Sequence, residues 1–169
     1  GSLSAADIFT YLYFEEMNID PKAPKKEGRD RFVLSKGHVC PIQYAALATL
    51  GYFPESELET LRKENSILQG HPSMNKCPGI DISTGSLGQG LACGVGMGIM
   101  AKRDKKDYRV FVVVGDGECQ EGEIWEAAQT ANKYHLDNLI VFVDNNNLQL
   151  DGITDEVMPN IDLGKKFEA

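Results

Sequence analysis

The sequence predicts an α/β fold, a mostly parallel sheet flanked by helices. Two continuous apolar runs carry that prediction: Arg109 to Val114 (RVFVVV) and Asn138 to Val143 (NLIVFV). Each has the length and β-branched content of a strand buried on both faces. Between them, Glu121 to Tyr134 carries a helical pattern, so the three segments form a βαβ unit with a right-handed crossover. Both runs stop at polar clusters, Gly115-Asp116-Gly117-Glu118 and Asp144-Asn145-Asn146-Asn147, and a parallel sheet places such ends on one side.

The remaining elements follow in chain order. Ser4 is positioned to cap a helix whose apolar residues Ile8, Phe9, Leu12 and Tyr13 recur at helical spacing as far as Met17-Asn18. Lys22 to Arg31, with five basic residues between turn formers, reads as a solvated loop. Phe32-Val33-Leu34 is a short buried strand, and a helix from Pro41 to Leu50 closes at Gly51. Pro54-Glu55 opens a further helix to about Glu64. Asn65 to Ser83 has little periodicity and several Gly and Pro residues, which predicts a long ordered loop of the kind that carries function. Gly88 to Ala101 is helical, with Gly90, Gly94 and Gly98 forming a stripe suited to close packing.

Length and composition set the bounds. With 169 residues, 42% hydrophobic and 25% charged, the chain suits a single globular domain spanning 1–169. Its formal net charge of −8 opposes nucleic-acid binding. Cys40, Cys77, Cys93 and Cys119 lack metal-ligand or C-x-x-C spacing and read as separate reduced thiols of a cytoplasmic protein. The longest apolar stretch, Leu91 to Ala101, is too short to span a bilayer, so no membrane association is expected. Gly1 in place of an initiator Met, and a last helical pattern of two turns, suggest a piece of a longer chain; Gly1-Ser2 also fits a cleavage scar.

The two polar clusters carry the chemistry. Asp116 and Asn146 are 30 positions apart, which one crossover helix and one strand consume, so a carboxylate and an amide oxygen can meet on one ion. That oxygen set suits Mg²⁺ or Ca²⁺ and leaves coordination positions for phosphates and water. Gly115 and Gly117 clear side chains from beside Asp116, and the following helix start offers free N–H groups. A site for a metal-bound diphosphate follows. His38 and His71 lie in a turn and in the long loop, where functional side chains concentrate, whereas His135 and Trp125 read as a helix-end residue and a packing residue.

At these residues the chain resembles a known family. GDGECQEG followed by NNNLQLDG is similar to the thiamine-diphosphate motif, and RFVLSKGH, GHP and STGSLGQG resemble transketolases, above all the N-terminal subunit of the split bacterial and archaeal type. The similarity extends over the whole chain. It implies a thiamin diphosphate-binding fold, specifically the diphosphate-binding domain, incomplete at both ends.

The resemblance also implies roles. Asp116, Asn146 and the carbonyl of Leu148 would hold the divalent ion; Gly117, with Gly115 beside it, would lie against the diphosphate. His38 would approach the cofactor phosphate and the reacting carbon, and His71 would bond substrate oxygens. Gly85 and Leu87 would offer backbone groups to the aminopyrimidine, and Glu121 would be a buried acid linking paired sites across a subunit interface. The implied reaction is two-carbon ketol transfer between sugar phosphates. The glutamate that activates the aminopyrimidine belongs to a separate pyrimidine-binding domain, so a partner chain or absent domain is expected, in a homodimer or heterotetramer. Surplus apolar surface on the glycine-striped helix and on the 121–134 helix is expected to supply a two-fold contact. Other readings remain open: a deoxyxylulose-phosphate synthase-like or phosphoketolase-like enzyme, a non-catalytic cofactor or partner-binding module, and a Mg²⁺-dependent nucleotide domain using Gly85 to Gly90.

Overall fold

A computed structural model describes residues 1–169. Its centre is a parallel sheet of three strands in the order β1 (Arg31–Leu34), β2 (Val110–Gly115) and β3 (Leu139–Asp144). Arg31 pairs with Val110, which in turn pairs with Leu139; β1 stays paired to Leu34–Val113, and β2 with β3 to Gly115–Asp144. Side-chain alternation divides the sheet's apolar residues between two cores. Phe32, Leu34, Phe111 and Val113 face α1 (Ala6–Tyr11) and α2 (Cys40–Thr49). Val33, Val110, Val112 and Val114 face α3 (Gln89–Arg103) and α4 (Gly122–Lys133). The fold is therefore a three-layer sandwich with β2 buried at its middle, which explains why that strand is apolar at successive positions.

Four local expectations change. Ser4 does not cap a helix: it lies inside a 3₁₀ turn, Ser2–Ala5, with its hydroxyl 2.6 Å from Asp144 Oδ2, to which its one proton is directed, and 2.7 Å from the Gly1 carbonyl. The segment after Pro54 forms a 3₁₀ turn, Glu55–Thr60, and not a helix to Glu64; none of its residues is buried, so no packed face supports propagation. Strand β3, at one edge of the sheet, is half-buried from Leu139 to Val143, whereas β1 at the other edge is buried from Phe32 to Leu34. The stripe on α3 faces inward: a Cβ on Gly94 would lie 2.6 Å from Val112 Cγ2, and one on Gly90 2.5 Å from Ser35 Oγ. Its glycines seat α3 directly on the sheet and offer no surface to a partner.

Beyond β3, a hairpin of β4 (Leu148–Gln149) and β5 (Gly152–Ile153) leads to α5 (Thr154–Val157) and α6 (Leu163–Glu168). Exposed apolar residues are most numerous here, at Leu148, Leu150, Ile153, Met158 and Ile161, while α3 exposes Met100 and the 121–134 segment exposes Tyr134. All four cysteines are free, and Cys40, Cys77 and Cys119 are buried. Burial pushes the thiols of Cys77 and Cys119 up to about 12. No helix is long and apolar enough to cross a membrane.

Candidate cofactor site at the strand ends

Asp116 follows β2 directly and is 1% exposed. Its Oδ1 accepts the N–H of Gly117 at 2.9 Å; Oδ2 accepts the N–H of Asn147 at 2.8 Å and the Thr154 hydroxyl at 3.2 Å. Asn160 donates to its backbone carbonyl at 2.6 Å. The carboxylate thus ties the turn after β2 to the loop after β3, bringing together the two clusters that the sequence placed 30 residues apart. Asn146 does not bond Asp116 itself. Its Nδ2 donates to Ser4 Oγ at 3.2 Å and its Oδ1 accepts the Leu148 N–H at 2.9 Å.

The donor chemistry fits a hard divalent ion. Asp116 Oδ1 and Asn146 Oδ1 each accept one hydrogen bond and keep a lone pair. No group of three or more His, Cys, Asp or Glu residues is arranged as a protein cage. An ion held by so few protein oxygens completes its shell with phosphate and water, as Mg²⁺ does. Beside Asp116 the space at Gly117 is tight, since a Cβ there would lie 3.0 Å from Gln149 Cβ, whereas one on Gly115 would make ordinary contact, 3.5 Å from Lys36 Nζ.

The other predicted residues approach from two loops. His38 is exposed in the 3₁₀ turn Gly37–Val39 that follows β1. Partial burial of the imidazole, then the charge of Lys36 and the proximity of His71, lower its pKa. His71 is exposed in the long loop, with its ring against Gly85, where a Cβ would sit 2.7 Å from His71 Cδ2. Gly85 has φ +139°, a conformation open to glycine, so both backbone and space dictate the residue. A Cβ on Gly37 would in turn meet the Gly85 nitrogen at 2.9 Å. His38, His71 and Gly85 are therefore drawn into one neighbourhood, with Leu87, 38% exposed, just before α3.

Glu121 is exposed in this single chain, at the N-cap of α4, and makes no capping bond; the interface expected to bury it involves a second chain. The buried acid of the motif is Glu118, 2% exposed, which accepts from Ser35, from the Gly88 N–H at 2.9 Å and from the Gly115 N–H at 3.0 Å. Burial raises its pKa, and those donors pull it back down. Beside it, Lys36 and Asp144 form a buried ion pair at 2.9 Å, with side chains 4% and 5% exposed. Sequence reasoning places Glu118 and Asp144 in the polar clusters but assigns no role to them or to Ser35 and Lys36; the one signal is polar residues directly after apolar strands.

A family model described as "Transketolase, thiamine diphosphate binding domain" matches residues 1–169. The chain belongs to the transketolase family. Among curated proteins it is 48% identical over 158 residues to one subunit of the apulose-4-phosphate transketolase of Phocaeicola vulgatus, covering 94% of this chain and 56% of that protein. It is 47% identical over 169 residues to the 6-deoxy-6-sulfo-D-fructose transketolase subunit SqwG of a Clostridium species, covering 100% of this chain and 62% of that one. The chain thus spans 56% and 62% of the lengths of these two relatives. The crystal structure of transketolase from Campylobacter jejuni superposes with a TM-score of 0.90 at 34% identity, over 96% of this chain and 26% of the other. The transketolase fold agrees with the parallel sheet and flanking helices predicted from the two apolar runs.

Proposed function

We propose that this chain is the thiamine-diphosphate-binding part of a two-part transketolase, and that it turns over only when a pyrimidine-binding partner completes the site. The observation that carries the proposal is Asp116: a buried carboxylate at the end of the central strand, between two glycines, tied through Asn147 to the neighbouring strand end. When bound, thiamine diphosphate supplies the nucleophilic carbon that carries the two-carbon ketol unit. The protein's part is to bind, orient and move protons.

Asp116, Asn146 and the carbonyl of Leu148 would hold Mg²⁺ or Ca²⁺, and Gly115 and Gly117 would leave room for the diphosphate. Gly85 and Leu87 would present backbone groups to the aminopyrimidine. The imidazoles of His38 and His71 would hydrogen-bond substrate oxygens and carry protons between donor and acceptor sugars. His38 is suited to the neutral, proton-accepting role because its pKa is lowered. Glu121, exposed on this chain, is free to meet a partner chain. That a partner exists is supported by relatives whose names describe them as single subunits of a transketolase. The printed names of relatives differ in sugar, so the substrates are proposed as a class, sugar phosphates, in a homodimer or heterotetramer.

Calorimetric titration of thiamine diphosphate with and without Mg²⁺ tests the site. Saturable, Mg²⁺-dependent heat, weakened at least ~100-fold by Asp116→Ala as expected when a charge-bearing ligand to the metal is removed, supports the reading. Ketol transfer on adding a pyrimidine-binding chain supports the activity. Heat that survives Asp116→Ala overturns the metal assignment.

A further inference from the structure

Glu118 is placed between the two regions that the proposed cofactor would touch. Its oxygens serve different segments. Oε1 accepts the Ser35 hydroxyl and the Gly88 N–H, whereas Oε2 accepts the Gly115 N–H. Gly88, with φ +90°, is where the segment carrying Gly85 and Leu87 turns into α3; Gly115 is the last residue of β2, next to Asp116. Lys36 is the nearby cation, and its hydrogen bond goes to Asp144, not to Glu118.

The residue type follows from the donors. Two backbone N–H groups approach from different segments, each onto its own oxygen, and a carboxylate accepts at both. A glutamine presents one carbonyl and one NH₂, so it sets donor against donor at one of the two ends. An aspartate is one methylene shorter. The side chain is almost fully buried, and an N–H left without its acceptor there is enough to release whichever segment loses its bond.

We propose that Glu118 is a positioning residue that clamps the Gly85–Gly88 segment to the end of β2, so that the aminopyrimidine and diphosphate contacts are presented at one fixed spacing. The inference rests on the thiamine-diphosphate reading for the ligand's identity, while the clamp stands on the hydrogen bonds alone. Its consequence is selective: losing the clamp weakens an extended ligand that must satisfy both regions more than a short one that uses only the metal and diphosphate end.

The test compares the full chain with Glu118→Gln and Ser35→Ala, the latter keeping the carboxylate. Amide hydrogen exchange in the ligand-free protein is expected to show both the Gly88 and Gly115 amides protected in the parent and in Ser35→Ala. In Glu118→Gln one of the two exchanges at least ~10-fold faster. Titrations with Mg²⁺ and either thiamine diphosphate or inorganic pyrophosphate then read the spacing. The preference for thiamine diphosphate over pyrophosphate is expected to fall at least ~5-fold in Glu118→Gln, with pyrophosphate affinity within about 2-fold of the parent. Protection retained at both amides, or an unchanged preference, overturns the proposal. A parent chain that takes up neither probe overturns the thiamine-diphosphate reading instead, and the exchange rates still decide the clamp.

Discussion

The two ends of the central sheet handle buried acids in different ways. At the amino ends, Asp30 accepts the N–H groups of Asn18 and Arg109 and also pairs with the Arg109 guanidinium at 2.9 Å. Asp81 accepts the Phe32 N–H and pairs with Arg29. At the carboxyl ends, Asp116 and Glu118 accept from backbone N–H groups and hydroxyls and have no cation bonded to them. The one buried cation there, Lys36, is bonded to Asp144. Arginines balance the charge at one end, and that end is structural. Dipoles hold the acids at the other, which leaves negative charge and spare lone pairs facing the strand ends, the usual place for a ligand in a parallel sheet. A divalent ion there would supply the missing positive charge.

The sharpest way to break this contrast is to remove the carboxyl end's own cation. Lys36→Met leaves Asp144 buried with the Ser4 hydroxyl as its remaining side-chain donor. Breaking a buried pair from one side costs about 3–5 kcal/mol, so a large drop in the unfolding midpoint in urea is expected. Because Lys36 also lies against Gly115, cofactor affinity is expected to fall with it. Unchanged stability would mean that the pair contributes nothing beyond its own desolvation.

Asp30→Asn makes the matching change at the amino end. Asn keeps one carbonyl acceptor but turns an NH₂ toward either the Arg109 or the Asn18 N–H, and it loses the charge opposite Arg109, whose side chain is 36% exposed; solvent moderates the charge loss, and the total is expected at about 2–3 kcal/mol. The expected separation is clean: lower stability, with Mg²⁺-dependent thiamine-diphosphate affinity in the remaining folded protein unaltered. A matching loss of affinity would show that the two ends are coupled through the sheet.

The contrast also explains what can be seen in the sequence. Strands β1 to β3 are legible because a parallel strand covered on both faces is apolar at successive positions, and Asp116 is legible because a Gly-Asp-Gly turn and an Asn cluster sit one crossover apart. The partial burial of β3 is not, since an edge strand and a central one share the same composition. Ser4 misleads because a hydroxyl at a helix start has the same sequence whether it caps the helix or reaches Asp144, 140 residues away. Glu118 and Lys36 are hidden for a related reason: apart from the Gly115 N–H beside Glu118, their partners are distant, with Ser35 83 residues from Glu118 and Asp144 108 from Lys36. Within the single chain the buried acid of the motif is Glu118, three residues before Glu121.

The smallest expected effect concerns His38 and tests whether the carboxyl end is tuned for a neutral imidazole. Partial burial and the charge of Lys36 lower its pKa in the folded chain, so the unfolded chain binds the proton more readily. Above the ordinary histidine value of about 6.5, neither state is protonated and His38 contributes no pH dependence. As the pH falls below that value, the unfolded state gains a proton that the folded state resists, and stability declines until the folded pKa is passed. Because His38 is exposed, solvent screening keeps the change below about 1 kcal/mol. Unfolding midpoints at several pH values between about 7.5 and 5, for the parent and for His38→Gln, isolate it. The parent is expected to lose slightly more stability on acidification than the variant. An equal loss would show that the imidazole titrates as it does in the unfolded chain; a smaller loss in the parent would mean that an acid at the strand ends, and not Lys36, controls its proton.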